Sequence, residues 1–434
     1  MTASTEPEPT ALAVLRLAQE GRFAEIRDMF APSLRALVAP AALQAAWAAE
    51  LGRHGPVASI GTPVIEPAGS GMVAVKVPVA FEHGELTLVV SVEEAGWLAG
   101  LQLAPASAAK PSEPWAPPEY ADPAAFDEHD VTVGSGPLAV PGTLSLPRQP
   151  GRWPAIVFLG GSGPLDRDET MGRNKPFKDL AWGLASRGVA VLRFDKVTYA
   201  HGSQVAGLPD FTVTDEYVNH AVAAVHLLRQ HLAVDGALIF VLGHSLGGTV
   251  APRVAAAEPL VAGLVILAGG TQPLHWAAVR QVRYLASLDP ETAAASQPVI
   301  DAMSDQARTV DSPGLSPATP ASELPFGVDA PYWLDLRGYD PVAVAAALGK
   351  PMLILQGGRD YQATVVDDLA GWQAGLAHRP NVTISVYDAD NHLFFAGAGP
   401  SAPAEYEPAQ HVDPAVVADI ASWLAPAIPA SGAP

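Results

Sequence analysis

Apolar residues recur along the chain with two different periods, and the switches between them divide it. Leu12, Leu15, Phe23, Ile26, Phe30, Leu34 and Leu37 return at helical spacing, and Leu43 and Trp47 continue it after the break at Pro40. Alternation then takes over. Val73, Val75, Val77 and Val79 form one period-two run, and Leu86, Leu88 and Val90 form another across a His83-Gly84 turn. Helices followed by a strand meander predict a small α+β domain over residues 1–103. No polar cluster in it reads as a site. Residues 104–124 are rich in Pro and Ala (PASAAKPSEPWAPPEYADP) and read as a linker.

From residue 125 the rhythm becomes strand, turn, helix. Two strands are predicted near 128–133 and 138–146, then a buried strand in WPAIVFLGG. A helix over 176–187 leads to a strand at Val189–Phe194, and a helix over 214–231 leads to a strand at Ala237–Leu242. A helix from Leu246, strands at Leu260–Ala268, Pro351–Gln356 and Val382–Tyr387, and a helix at Pro414–Leu424 complete the pattern. Such alternation predicts a parallel sheet covered by helices on both faces, with ligands at the carboxyl ends of the strands. Residues 271–345 interrupt it with one helix (HWAAVRQVRYLASL), a polar, Pro-rich middle and the aromatics Phe326, Tyr332 and Trp333. A long insertion above a sheet reads as a cap or lid. Tyr284, Phe326, Tyr332 and Trp333 are expected to wall a mainly apolar acyl pocket, and core packing is the equal alternative.

Composition narrows the chemistry. The 434 residues exceed one compact domain, and 49% of them are hydrophobic, enough for a sizeable core. The formal net charge of −20 argues against nucleic acid, anionic membrane and polyanionic substrates as partners. The absence of cysteine excludes disulfides, thiolate metal sites and a cysteine nucleophile. Glu6 and Glu8 stand where a signal peptide would be basic, and no run approaches the roughly 20 apolar residues of a membrane span. A soluble, cytoplasmic protein is expected. No HExxH occurs, and GGSGP lacks the Lys-Ser/Thr ending of a P-loop, so neither a metal nor a nucleotide cofactor is expected.

Gly243-His244-Ser245-Leu246-Gly247 fits the nucleophile-elbow pattern G-x-S-x-G, lying between an apolar strand and a helix-compatible run as that motif requires. The glycines let a tight strand-to-helix turn pass close to its neighbours. Ser245 is the expected nucleophile, with the N–H of Leu246 as one oxyanion donor. The second should come from the loop LGGSGPLDRDE: Ser162 is the expected donor, with Gly161 and Gly163 close behind. Such folds order the triad as Ser, acid, His. His378, His392 and His411 follow the late strand; His392, between the last strand and the last helix, is the expected base. His378 reads as a surface residue and His411 as a cap or supporting group. Asp360, past PMLILQGGR, is the expected acid, with Asp388 and Asp390 as rivals.

With these motifs in hand, residues 125–425 resemble a group of bacterial α/β-hydrolases described as carboxylesterases, related to dienelactone hydrolases and prolyl-oligopeptidase-type enzymes. GSGPLDRDE, NKPF, LASRGVAVLRFDK, GHSLGG, YWLDL, GGRDYQ and NHLFF carry the likeness, and the first hundred residues resemble the small domain that often precedes these hydrolases. The resemblance implies an α/β-hydrolase fold with a mostly parallel, eight-stranded-type sheet, and a catalytic domain over 125–434. It also implies Ser245 as nucleophile, Asp360 as acid and His392 as base, acting on the ester or thioester of a small acyl substrate. Gly160 stands where relatives usually carry histidine, a departure that bears on support for the oxyanion loop. Asp166, Arg167, Asp168 and Lys196 belong to the family pattern and are expected to form a structural ion-pair cluster near the site, with a part in substrate orientation as the lesser alternative. Acyl transfer, elimination or cyclisation on the same elbow, and a binding protein with a relic triad, are the rival functions. The N-terminal domain could serve a homodimer or roof the active site.

Overall fold

A computed structural model describes residues 6–31, 35, 40–69, 72–93, 95–106 and 115–427, so the predicted helical positions Leu34 and Leu37 lie outside the described residues. The chain separates into two compact units, Met1–Glu113 and Pro114–Pro434. In the first, helices α1 (Pro7–Gln19), α2 (Phe23–Met29) and α3 (Pro40–His54) accompany five strands. These are β1 (Val57–Ile60), β2 (Val64–Gly69), β3 (Met72–Phe81), β4 (Gly84–Val92) and β5 (Leu98–Pro105), all antiparallel. The predicted alternation in β3 is real: Val75, Val77, Val79 and Phe81 turn inward against Leu15, Ile26 and Trp47.

The second unit holds an eight-stranded sheet. Its strands are β6 (Phe126–Val133), β7 (Val140–Pro147), β8 (Trp153–Leu159), β9 (Ala190–Phe194), β10 (Val234–His244), β11 (Leu264–Leu267), β12 (Met352–Gly357) and β13 (Val382–Tyr387). They lie in the order β13-β12-β11-β10-β8-β9-β7-β6. β6 and β7 run antiparallel at one edge, and β8 through β13 are parallel. Helices α4 (Pro176–Ala185) and α12 (Pro414–Leu424) cover one face, while α5 (Asn219–Gln230) and α6 (Leu246–Ala257) cover the other. Burial on both faces explains why β8 and β12 are apolar throughout rather than alternating. This is the α/β-hydrolase fold.

Two expectations change. Residues 104–124 are not a free linker. Ala104 and Pro105 end β5, residues 107–114 lie outside the described set, and Trp115 is already fixed on the catalytic unit. Its indole N–H donates to the Asp179 carboxylate at 2.8 Å and its ring meets Trp182 edge-on at 4.9 Å. The insertion at 271–345 is more helical and shorter than predicted. It forms α7 (Leu274–Ser287), α8 (Pro290–Asp311) and α9 (Ala330–Arg337). Residues from Pro341 onward form α10 (Pro341–Leu348), whose Ala345 packs into the main core.

Candidate active site

The register of the sheet gathers the turns that carry chemistry. Gly243 of β10 pairs with Leu159 of β8, and His244 pairs with Leu267 of β11, so the turns after β8 and β10 emerge side by side. Gly357 of β12 pairs with Tyr387 of β13, and the Arg359 N–H donates to the Asp390 carbonyl at 2.8 Å. The loops bearing Asp360 and His392 are thereby sewn together at the same end of the sheet.

Ser245 is held at φ 52° and ψ −121°, outside the wells that an L-residue prefers. The turn closes only around glycine. A Cβ on Gly243 would overlap the Gly247 carbonyl, and one on Gly247 would overlap the Leu159 carbonyl. Leu246 opens α6, so its N–H has no intrahelical acceptor and points from the positive end of the helix.

His392 and Asp360 form a buried dyad, with Nδ1 2.7 Å from Oδ2. Asp360 is fully satisfied: Oδ1 accepts the N–H groups of Gln362 and Ala363, and Oδ2 also accepts Gln356 Nε2. The rivals fall away. Asp388 is exposed, and Asp390 is buried with no N–H donor on either carboxyl oxygen. His378 is exposed, and His411 supports the structure by meeting the buried Asp179 carboxylate at 3.1 Å.

The oxyanion loop is organised differently from the expectation for Gly161. Its N–H is donated to Glu169 Oε1 at 2.7 Å, and its carbonyl accepts Lys196 Nζ at 2.7 Å and the Tyr217 hydroxyl at 2.6 Å. With both polar groups used internally, Gly161 has nothing left for a substrate. Gly163, at φ 85°, is an exposed turn residue. Ser162 is the exposed position between them.

Glu169 and Lys196 are the residues that sequence reasoning missed or underrated. Glu169 is buried, and its Oε1 also meets His244 Nδ1 at 3.0 Å. Burial would push the Glu169 carboxyl up, but the charge and hydrogen bond of His244 and the Gly161 N–H hold it below its ordinary value. Burial likewise pulls His244 down, and the Glu169 carboxylate overcomes it to leave that imidazole raised. Lys196 is lowered by burial, against the Glu216 carboxylate 2.8 Å away. Further out, Arg167 pairs with Asp195 and Arg193 with Asp168, each at 2.9 Å, while Asp166 accepts from Thr170, so the four residues expected to form one ion-pair cluster each find a partner outside that set.

A cavity of about 330 Å³ includes Ser245 and Leu246 in its wall. Apolar surface from Leu246, Leu274, Ala277 and Leu336 makes up the larger part of its lining, in keeping with the expectation, and Thr249, Gln272, His275 and Gln281 add polar groups to it. Tyr332 and Trp333 do not line it. The Tyr332 hydroxyl is turned inward to Glu216 Oε2 at 2.6 Å, and Trp333 is fully buried in a small core with Val310 and Leu324. Tyr284 stacks on Tyr361, and Phe326 stacks on Trp333 while half exposed. Among the described residues no three His, Asp or Glu side chains gather as a metal ion would require, and no helix is long and apolar enough to cross a membrane.

The chain is similar to known hydrolases. The family model described as serine aminopeptidase, S33 (Hydrolase_4), matches residues 170–396. Esterase EstD of Thermotoga maritima is 37% identical over 344 residues, which cover 79% of this chain and 77% of that protein. The 2,6-dihydropseudooxynicotine hydrolase of Paenarthrobacter nicotinovorans is 28% identical over 151 residues, 35% of this chain and 37% of that protein. Among solved structures, Est1E from Butyrivibrio proteoclasticus is 18% identical with a TM-score of 0.45, covering 69% of this chain and 98% of that one.

Proposed function

The chain belongs to the serine aminopeptidase S33 family of α/β-hydrolases and is a carboxylesterase-type hydrolase, and on that premise we propose that it cleaves a carboxylic ester through an acyl-enzyme on Ser245. The observation that carries this reading is the buried His392–Asp360 dyad, 2.7 Å across, gathered at one end of the sheet with a serine held at positive φ. Ser245 Oγ attacks the acyl carbonyl carbon as its proton passes to His392 Nε2. Asp360, bonded to Nδ1, fixes the tautomer and stabilises the imidazolium. The N–H groups of Leu246 and Ser162 receive the oxyanion. The tetrahedral adduct collapses, the carbon–oxygen bond to the alcohol breaks, and His392 returns the proton to that oxygen. Water then attacks the acyl-enzyme, giving one proton to His392. The Ser245–acyl bond breaks and the serine recovers its proton, releasing the acid.

The cavity's size and mixed lining favour a short acyl group bearing polar atoms over a long alkyl chain. Hydrolysis of a p-nitrophenyl ester series, acetate through decanoate, by the wild type and Ser245→Ala tests the reading. Turnover is expected to peak at the short end and to vanish in the variant. Undiminished turnover by Ser245→Ala, or failure of a fluorophosphonate to label Ser245, would overturn it.

A further inference from the structure

The proposed reaction needs three loops in mutual register: the elbow, the loop of the base and the oxyanion loop. One buried ion pair touches all three. His244, immediately before Ser245, places Nδ1 3.0 Å from Glu169 Oε1 and Nε2 2.9 Å from the main-chain carbonyl of His392. The His392 carbonyl can only accept, and His244 and the Gly161 N–H hold Glu169 in its carboxylate form, which also only accepts, so both ring nitrogens carry hydrogen and His244 is an imidazolium. The same Oε1 accepts the N–H of Gly161 in the oxyanion loop. The rings of His244 and His392 are 4.7 Å apart. Glu169, His392 and Asp360 are the titratable groups facing His244, and Phe177 closes its remaining side.

A second buried group grips the other side of Gly161. Lys196 Nζ donates to the Gly161 carbonyl and to the Tyr217 hydroxyl, and that hydroxyl donates to the same carbonyl. Glu216 neutralises Lys196, and Tyr332 satisfies the second Glu216 oxygen. The carbonyl of Gly161 and the N–H of Ser162 belong to one planar peptide unit. Two donors on that oxygen therefore fix the direction of the Ser162 N–H. One of them is cationic, and bonding to it withdraws electron density and makes that N–H a stronger donor.

We infer that Glu169 with His244, and Lys196 with Tyr217, are positioning residues that clamp Gly161 from both sides, aim the Ser162 N–H at the developing oxyanion and lock that donor to Ser245 and His392. The inference rests on the acyl-enzyme reading above. It also explains how the loop manages with Gly160: its support comes from beneath, through groups that are already buried.

The test compares wild type, Glu169→Gln, Glu169→Asp and Tyr217→Phe on a short p-nitrophenyl ester, with active sites counted by fluorophosphonate labelling. A trifluoromethyl ketone of the same acyl group serves as the oxyanion mimic. Glu169→Gln keeps size and an acceptor but removes the charge that holds His244 protonated. It is expected to lower kcat about 10- to 100-fold with KM little changed, as misaimed groups do, and to weaken the ketone in parallel. Glu169→Asp should recover part of the loss. Tyr217→Phe removes one of two bonds to the Gly161 carbonyl, and about a 3- to 10-fold loss is expected from the value of one hydrogen bond. Nitrogen-15 NMR of the wild type should show His244 doubly protonated at pH 8. A folded Glu169→Gln variant with unchanged kcat and ketone affinity, its defect confined to melting temperature, would overturn the inference. So would a wild-type His244 that titrates like a free imidazole, a result that stands even if no variant folds. Wild-type protein that neither hydrolyses an ester nor labels would instead overturn the acyl-enzyme reading, and the positioning role with it.

Discussion

Asp360 sits in a site built for a carboxylate, with four donors converging on its two oxygens. An amide there would keep the shape and lose the tautomer control. Asp360→Asn is therefore expected to fold, to keep KM within a few-fold and to lose kcat by about 10⁴, the cost seen when an orienting carboxylate is neutralised in a serine protease; steady-state kinetics decides it. Asp390, two residues before His392, has the opposite environment. It is fully buried with no N–H donor on either carboxyl oxygen, and burial together with the charge and hydrogen bond of the neighbouring Asp413 pushes its carboxyl up to about 7. A raised acid holds its proton longer in the folded chain than in the unfolded one. Its contribution to stability is thus complete at acid pH and is lost as pH rises towards 7. Asp390→Asn, which mimics the protonated acid, should raise the melting temperature more at pH 8 than at pH 4; equal shifts at both would show that the buried charge is not what limits stability. Residues at this scale were legible in the sequence where a local strand and turn announce them, as for Ser245, Asp360 and His392. Glu169 was not legible, because its partner His244 lies 75 positions away and nothing local signals the pairing. Tyr332 and Trp333 misled because an aromatic stripe looks the same whether it walls a pocket or fills a core.

Elements were legible through their periods, and the prolines blurred them. Pro290 opens α8, and Pro331, Pro341 and Pro414 stand in the first turns of α9, α10 and α12. A missing N–H costs nothing at that position, so residues that look like linker punctuation are helix starts. In α8 the inward positions Ile300, Ser304, Ala307 and Val310 hold helical spacing, but small and polar side chains dilute the apolar signal. The stretch after residue 114 misled for the same compositional reason, and Trp115 shows what composition hides. Its indole satisfies the buried Asp179 carboxylate, which also receives the Val412 N–H from the approach to α12. Trp115→Phe keeps a ring against Trp182 and removes the donor. Weakening one bond to a buried carboxylate should cost about 1–3 kcal/mol, read as a lower urea midpoint at unchanged slope. An unchanged midpoint would mean that Trp115 only rests on the surface of the unit.

At the scale of the whole molecule the dominant fact is charge, 25 basic against 45 acidic residues. The cavity beside Ser245 repeats that bias, since Asp311, Asp340 and Asp368 line it with Arg337. Arg280 balances Asp368 at 2.6 Å, and Arg337 directs its guanidinium to the carbonyls of Val310 and Ser312, leaving little positive field for a substrate. An anionic ester must therefore approach against both the distant and the local potential, whereas a neutral ester of the same length does not. Raising ionic strength from about 0.01 M to about 1 M shrinks the screening length from about 30 Å to about 3 Å. Over that range kcat/KM for a p-nitrophenyl hemisuccinate should climb while that for the butyrate stays nearly flat. The comparison separates two sources of discrimination. A climb that brings the two esters together assigns the preference to long-range repulsion. A hemisuccinate that stays slow at high salt assigns it to the carboxylates at the wall, and Asp340→Asn should then relieve it. A hemisuccinate favoured at low salt would mean that Arg337 turns from its carbonyl partners to receive the substrate, and that the acidic surface does not govern access to Ser245.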